Sequence, residues 1–264
     1  LDLDPMPFLI SIIISSNIGG TATLIGDPPN IMIGSQTHLG FMDFVVNLVP
    51  VVLIIHVATM AVLYFLYRRK LQVSDDLKAE LMKLDPILAI KDYALLKKSL
   101  SVLGLILIGF FLHQSFHLES ATIALSGAVL LMFITKEEPE DILLTVEWPT
   151  IFFFIGLFIV VGGLIETGLI NSMAQWAITA TAGNFTLAGM LILWFSAIAS
   201  AFVDNIPFVA TMIPLIHQMG SLGGISPTEL EPLWWALSLG ACLGGNGTLI
   251  GASANVIVAD FDKF

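Results

Sequence analysis

From Phe44 to Tyr67 the chain carries no Asp, Glu, Lys or Arg. About 20 apolar residues in a helix cross the hydrocarbon of a bilayer. Inside lipid a segment must satisfy its own backbone polar groups, which an open strand or loop cannot do. Such a run therefore has few possible fates, and the sequence contains several more. Ser99–Phe116 and Leu118–Thr135 form a close pair, and Pro149–Ile165 is a further span. Thr186–Val203 and Ile206–Met219 flank a polar Asp204-Asn205. Met6–Gly34 and Leu233–Ala259 are apolar overall, but each is broken in its middle by Gly and Asn, with Thr and Pro nearby. Composition agrees: 56% of residues are hydrophobic and 12% charged, about half the charge of an ordinary soluble domain. Mean hydropathy is +0.93. The expected class is an all-α polytopic membrane protein.

Eight of the ten Lys and Arg lie between Arg68 and Lys98. Loops rich in these residues stay in the cytoplasm, so the stretch 68-98 reads as a cytoplasmic basic linker. From it, Phe44–Tyr67 runs inward and Met6–Gly34 outward. Ser99–Phe116 runs outward and Leu118–Thr135 inward. Lys136–Trp148 reads as an interfacial cytoplasmic segment, and Pro149–Ile165 runs outward. Asn171–Thr181 is short and polar and is placed at the outer surface. Thr186–Met219 is then a re-entrant hairpin, and Leu233–Ala259 runs inward. Three units result: 1-67 (broken helix 6-34, span 44-67), the linker, and 99-264 (spans 99-116, 118-135 and 149-165, hairpin 186-219, broken helix 233-259). The formal charge of -11 comes with no basic stripe outside the linker, so no nucleic-acid partner is expected. Cys242 is the single cysteine and can form no intrachain disulfide.

The two broken segments align without a gap, 225 positions apart. Asn17-Ile-Gly-Gly-Thr-Ala-Thr-Leu-Ile-Gly-Asp-Pro-Pro-Asn30 matches Cys242-Leu-Gly-Gly-Asn-Gly-Thr-Leu-Ile-Gly-Ala-Ser-Ala-Asn255. Helices broken at matching places in inverted halves are the best sequence pointer to a transporter's midplane site. Glycines let carbonyls approach an ion, Thr and Asn add neutral oxygens, and a half-helix N-terminus suits an anion. The competing reading is that small residues simply let helices pack closely. Candidate ligands are Thr23, Gly26, Asp27 and Asn30 in the first copy. In the second they are Gly244, Gly245, Asn246, Thr248, Gly251, Ser253 and Asn255.

Asp204 and Asn205 join this set, because an ionisable group between two membrane limbs is costly and suggests function. Na⁺ is expected near Asp204, Asn205, Gly245 and Thr248. Asp27 is either a ligand or a helix cap, since Asp-Pro-Pro also starts helices. Glu166 reads as interfacial. His113 and His117 have metal-compatible spacing but no evident third ligand, and read better as interfacial. His56 reads as a packed histidine. Gly244–Gly251 superficially suggests a nucleotide loop, but no Lys-Ser/Thr or βαβ pattern accompanies it. No cofactor and no enzymatic constellation are found.

Asn17 to Ile33, with its Gly-Asp-Pro-Pro-Asn-Ile core, resembles the signature of the ArsB/NhaD permease family. Phe202–Pro214 and Gly240–Asn255 resemble the branch that contains the pink-eyed dilution P protein. The wider ion transporter superfamily includes citrate and dicarboxylate carriers. The resemblance implies an inverted-repeat ion-transporter fold, each repeat a re-entrant hairpin followed by a broken helix. It also implies a scaffold and a mobile transport portion, usually in a homodimer. By position, Asp204 and Asn205 are the tip of the second hairpin. The first hairpin is expected before Leu1 and a final span after Phe264. The implied function is multi-pass, cell-membrane secondary transport of a small ion or solute, coupled to Na⁺ or H⁺. An ion channel on the same scaffold is the alternative.

Overall fold

A computed structural model describes residues 4–70, 79, 82, 90–116 and 118–260 of the 264. Most of the linker, and His117, lie outside the described residues. Every regular element among the described residues is helical. In chain order these are α1 (Met6–Thr21), α2 (Pro28–Gln36), α3 (Phe41–Tyr67), α4 (Tyr93–Leu112), α5 (Ser120–Thr135) and α6 (Pro139–Leu144). Then come α7 (Trp148–Glu166), α8 (Leu169–Ala180), α9 (Phe185–Phe202), α10 (Asn205–Gly223) and α11 (Glu231–Gly244). Two 3₁₀ turns, Gly245–Gly247 and Leu249–Gly251, lead into α12 (Ser253–Asp260).

Among the described residues, α3, α4, α7 and α9 are long and apolar enough to cross a membrane, while α1 and α5 are shorter apolar helices. Their outward faces carry large apolar side chains: Ile54 is 73% exposed, Ile159 71% and Phe133 83%. Water would not tolerate apolar surface on this scale; lipid does. With the family relationship described below, these faces make the chain a multi-pass membrane protein.

The bounds differ from the hydropathy reading in one instructive place. The span expected from Ser99 begins at Tyr93 and ends at Leu112. Asp92 is the reason: its carboxylate accepts from the backbone N–H of Ala94 and Leu95 at 2.8 and 3.0 Å, a helix N-cap. Lys97 and Lys98 are therefore helical. The polar stretch Asn171–Thr181 is also helical as far as Ala180, within α8, and Thr181 is the residue that ends that helix. Its 12 residues reach ~18 Å at 1.5 Å per residue, too short to cross the hydrocarbon. Its Ile170, Ala174 and Ala177 face is buried, packed against α10, and Trp176 points outward.

His113 is a packing residue here. Its Nε2 accepts from the Phe41 backbone N–H at 3.0 Å and its Nδ1 lies 3.0 Å from the Leu118 carbonyl, so both ring nitrogens tie the start of α3 to the α4–α5 turn. Gln114 adds a bond to Asp43, 2.7 Å. In the loop before α11, Ser226 donates to Glu229 from its backbone N–H at 3.0 Å and its hydroxyl at 2.8 Å. These bonds hold that carboxyl below the usual range.

The buried centre lies where the broken segments meet α9 and α10. Trp234, Leu233, Leu237, Ile216, Val209, Ile192, Ile33 and Phe44 are all but inaccessible. Among the described helices α9 and α11 pack most extensively, and glycine sets how near they come. A Cβ on Gly240 would lie 2.5 Å from the Leu193 carbonyl oxygen, and one on Gly244 would lie 2.5 Å from that of Ala197. Ser200 donates across this seam to the Ala241 carbonyl at 2.7 Å. Ser196, fully buried there, has no partner for its hydroxyl among the described residues. It serves as a small residue under Gly240. In lipid such small-on-small contacts drive helix association, so the packing reading of the glycines holds for this seam. Gly244→Ala should cost about 1–3 kcal/mol, the usual penalty of overpacking; thermal unfolding of the purified protein should show a lower Tm.

Candidate functional site

The site is built where α1 and α11 stop. After Thr21 the first segment unwinds through Ala22–Gly26 and restarts at Pro28. After Gly244 the second passes through its 3₁₀ turns and restarts at Ser253. The two breaks share their backbone bonds. Gly26 N donates to Thr23 O at 3.3 Å, and the aligned Gly251 N donates to Thr248 O at 3.2 Å. Asn30 N donates to Asp27 O, and Asn255 N to Ala252 O, both at 3.0 Å. Asp27 (φ -145, ψ 138) and Ala252 (φ -151, ψ 144) have the same conformation. The glycines permit this close path. A Cβ on Gly20 would sit 2.6 Å from Gly26 O, and one on Gly251 would sit 2.8 Å from Gly245 O.

An asparagine closes each break. Asn30 Nδ2 donates to Thr21 O at 3.1 Å and Thr23 O at 3.0 Å. Asn255 Nδ2 donates to Gly245 O at 2.7 Å and Thr248 O at 2.9 Å. Both side chains are buried, and their oxygens are also engaged, each by the other copy. Cys242 Sγ lies 3.7 Å from Asn30 Oδ1, joined by Ser238 Oγ at 2.6 Å. Asn17 Nδ2 lies 2.8 Å from Asn255 Oδ1 and 3.1 Å from Asn246 Oδ1. Asn17 and Cys242 occupy the same position of the repeat, so the cross-contacts are reciprocal. Asn30 and Asn255, expected as ligands, spend their amides on protein.

The other expected residues fall into a second cluster. Asn205 Nδ2 lies 3.5 Å from each oxygen of Asp27. The Asp27 side chain makes no capping bond to α2, so its carboxylate faces the hairpin tip. Asp204 does cap: its Oδ1 accepts from Ile206 N at 2.9 Å, while Oδ2 receives Ser253 Oγ at 3.4 Å. Asp27, Asn205, Asp204 and Ser253 thus converge where α2, α10 and α12 begin. Three helix N-termini, with their positive dipole ends, meet there; α2 offers no free N–H, because Pro28 and Pro29 have none and Asn30 N and Ile31 N donate to Asp27 O. The ion pairs among the described residues are His38–Glu231 and Lys70–Asp4; neither Asp27 nor Asp204 belongs to one.

Thr248 hydrogen-bonds the Ala201 carbonyl of α9, tying the second break to the hairpin. Thr23 and Gly26 face each other inside their own break. Thr248 O accepts from both Asn255 Nδ2 and Gly251 N, so the oxygen Thr248 keeps for a ligand is its hydroxyl, which donates its hydrogen to Ala201 O and still accepts. No group of three or more His, Cys, Asp or Glu suited to a metal occurs among the described residues; Na⁺, which takes neutral oxygens, needs no such group. Sequence reasoning missed Asn17, Ser238 and Cys242 as parts of the network. Asn17 and Cys242 share a repeat position but not an identity, and Ser238 lies outside the aligned stretch.

Residues 1–240 match the family described as citrate transporter. The chain is 44% identical to an uncharacterized transporter of Mycobacterium tuberculosis, over 98% of this chain and 60% of that protein. It is 42% identical to a 46 kDa membrane protein of Mycobacterium leprae, over 100% of this chain and 61% of that protein. It is 32% identical to the P protein of Homo sapiens, over 98% of this chain and 40% of that protein. The chain therefore spans about 60% of the length of the mycobacterial relatives. Removing either clip takes a donor from a buried carbonyl, Thr21 O or Gly245 O, while Thr23 O and Thr248 O keep Gly26 N and Gly251 N; the loss costs about 1–3 kcal/mol. Asn30→Ala and Asn255→Ala should each lower the Tm of the purified protein by more than Ser253→Ala, whose hydroxyl is exposed.

Proposed function

Because the chain belongs to the citrate transporter family, we propose that the protein containing it is a secondary active transporter, moving a small ion or solute by alternating access with Na⁺ or H⁺ as the coupling ion. The observation that carries this reading is the pair Asp27 and Asp204, the first facing Asn205, which is the chain neighbour of the second, and neither engaged in a salt bridge among the described residues. Two like charges held close together within a membrane-embedded protein repel and cost desolvation energy. A bound cation relieves both costs. It thereby couples its own binding to the arrangement of hairpin and break.

The two copies form an inverted repeat in this reading, with Thr23 and Thr248 on opposite sides of a pseudo-two-fold axis. Support comes from their matching turns and from the reciprocal contacts Asn17–Asn255 and Cys242–Asn30, the pattern a two-fold relation generates. Thr248, Gly245 and Ser253 supply further oxygens for Na⁺ beside Asp204 and Asn205. The solute occupies the same midplane region and takes N–H groups of the half-helix ends if it is anionic. The full-length protein works as a homodimer in the cell membrane, with residues 68-98 on the cytoplasmic side, and catalyses no chemical conversion.

The test is flux in proteoliposomes containing the full-length protein, with citrate, chloride, arsenite and Na⁺/H⁺ exchange assayed under imposed Na⁺ and H⁺ gradients. Saturable, gradient-dependent flux is expected; single-channel conductance without saturation would replace the transporter reading. Asp204→Asn and Asp27→Asn should each reduce cation-dependent flux by on the order of tenfold or more, since a charge-assisted bond is worth about 1.5–3 kcal/mol. Unchanged flux in both variants removes the carboxylates from the mechanism.

A further inference from the structure

We propose that Asn17 is a positioning residue for the other copy's break: it fixes the orientation of the Asn246 amide, and acts on ligand binding through Asn246 without touching the ligand. The proposal rests on the transporter reading above.

Backbone carbonyls can only accept, and this decides the direction of the whole amide chain. Gly245 O and Thr248 O both lie against one terminal atom of Asn255, at 2.7 and 2.9 Å, so that atom is Nδ2. The atom that Asn255 turns to Asn17 is then Oδ1, and Asn17 must answer with Nδ2, 2.8 Å away. The same Nδ2 lies 3.1 Å from Asn246, which must in turn present Oδ1. Asn17 thus spends its two N–H bonds on two amide oxygens of the second copy and is itself 5% exposed.

The consequence falls on Asn246. Its oxygen accepts from Asn17 and keeps one lone pair, and its Nδ2 makes one long bond, 3.3 Å, to Leu243 O. Held this way round, Asn246 can offer a ligand one N–H beside that lone pair. Turning the amide over would set its NH₂ against that of Asn17 and leave a buried donor unpaired. Asn17 uses its side chain on no group of its own copy, and both of its partners lie 229 and 238 positions away. The aligned Cys242 could not substitute, because a thiol has one hydrogen and donates weakly.

The experiment is a double-mutant cycle on the full-length protein with Asn17→Leu, Asn246→Leu and the double variant. Two readouts are taken: Tm of the purified protein, and uptake of radiolabelled citrate into proteoliposomes. If Asn17 works through Asn246, each single variant raises the citrate KM roughly tenfold with a smaller change in maximal rate, and the double raises it no further than Asn246→Leu alone. The Tm losses of the two single variants likewise do not add. Additive KM effects, additive Tm losses, or an Asn17→Leu variant with unchanged KM overturn the proposal. If the wild-type protein takes up no citrate, the substrate assignment fails; the Tm cycle still decides whether Asn17 holds Asn246.

Discussion

Two asparagine side chains keep unwound backbone inside an apolar protein. Where α1 and α11 stop, carbonyls lose their helical partners in a place where water is scarce, and each unsatisfied group there costs several kcal/mol. Asn30 and Asn255 return from the first turn of the next helix to satisfy two of these carbonyls in each copy. An amide suits the task because one end donates twice while the other accepts. The accepting ends are in turn held by Cys242, Ser238 and Asn17. The breaks are thus fixed in shape and fixed to each other, and the side chains of Asp27, Asn205 and Asp204 are presented from that frame.

The same backbone path meets different surroundings in the two copies. Gly244 lies under Ala197, and Gly251 lies under Ser200, where a Cβ would sit 3.0 Å from the Ser200 carbonyl oxygen. The aligned Gly19 has nothing within 4 Å of where a Cβ would be. Glycine at this repeat position is therefore explained by helix packing in the second copy. In both copies the glycines at the inner positions, Gly20 with Gly26 and Gly245 with Gly251, are explained by the turn itself. Packing and site-building are not rival accounts of the glycines; they apply to different ones.

Much of this was legible in the sequence because the bilayer reduces structure to length and polarity. The helices, the breaks near Gly20 and Gly245, and the hairpin turn at Asp204 followed from where apolar runs stop. Local chemistry moved the ends: Asp92 starts α4 six residues before hydropathy does. The roles of Asn30 and Asn255 were not legible. Thr and Asn beside glycine in a broken helix suggest oxygen ligands, and spacing alone does not show that the amides turn back onto their own turn. Asn17 was harder still, because its function depends on an approach between segments more than 200 positions apart, which the alignment of the copies does not encode.

The difference between the copies gives the site its polarity. Asp27 and Ala252 have the same backbone angles at the same repeat position, so the scaffold does not demand a carboxylate there. What distinguishes the first copy is that its residue looks onto Asn205 and, beyond it, Asp204, whereas the second copy places Ser253 beside Asp204 instead. A second carboxylate in place of Ala252 would add charge to a cluster already holding two acids without an ion pair among the described residues. One acid from a break and one from a hairpin tip is an arrangement in which either element, by moving, changes the electrostatic cost of the other. In the proposed transporter, that dependence is what would convert the binding of a coupling ion into a change of shape.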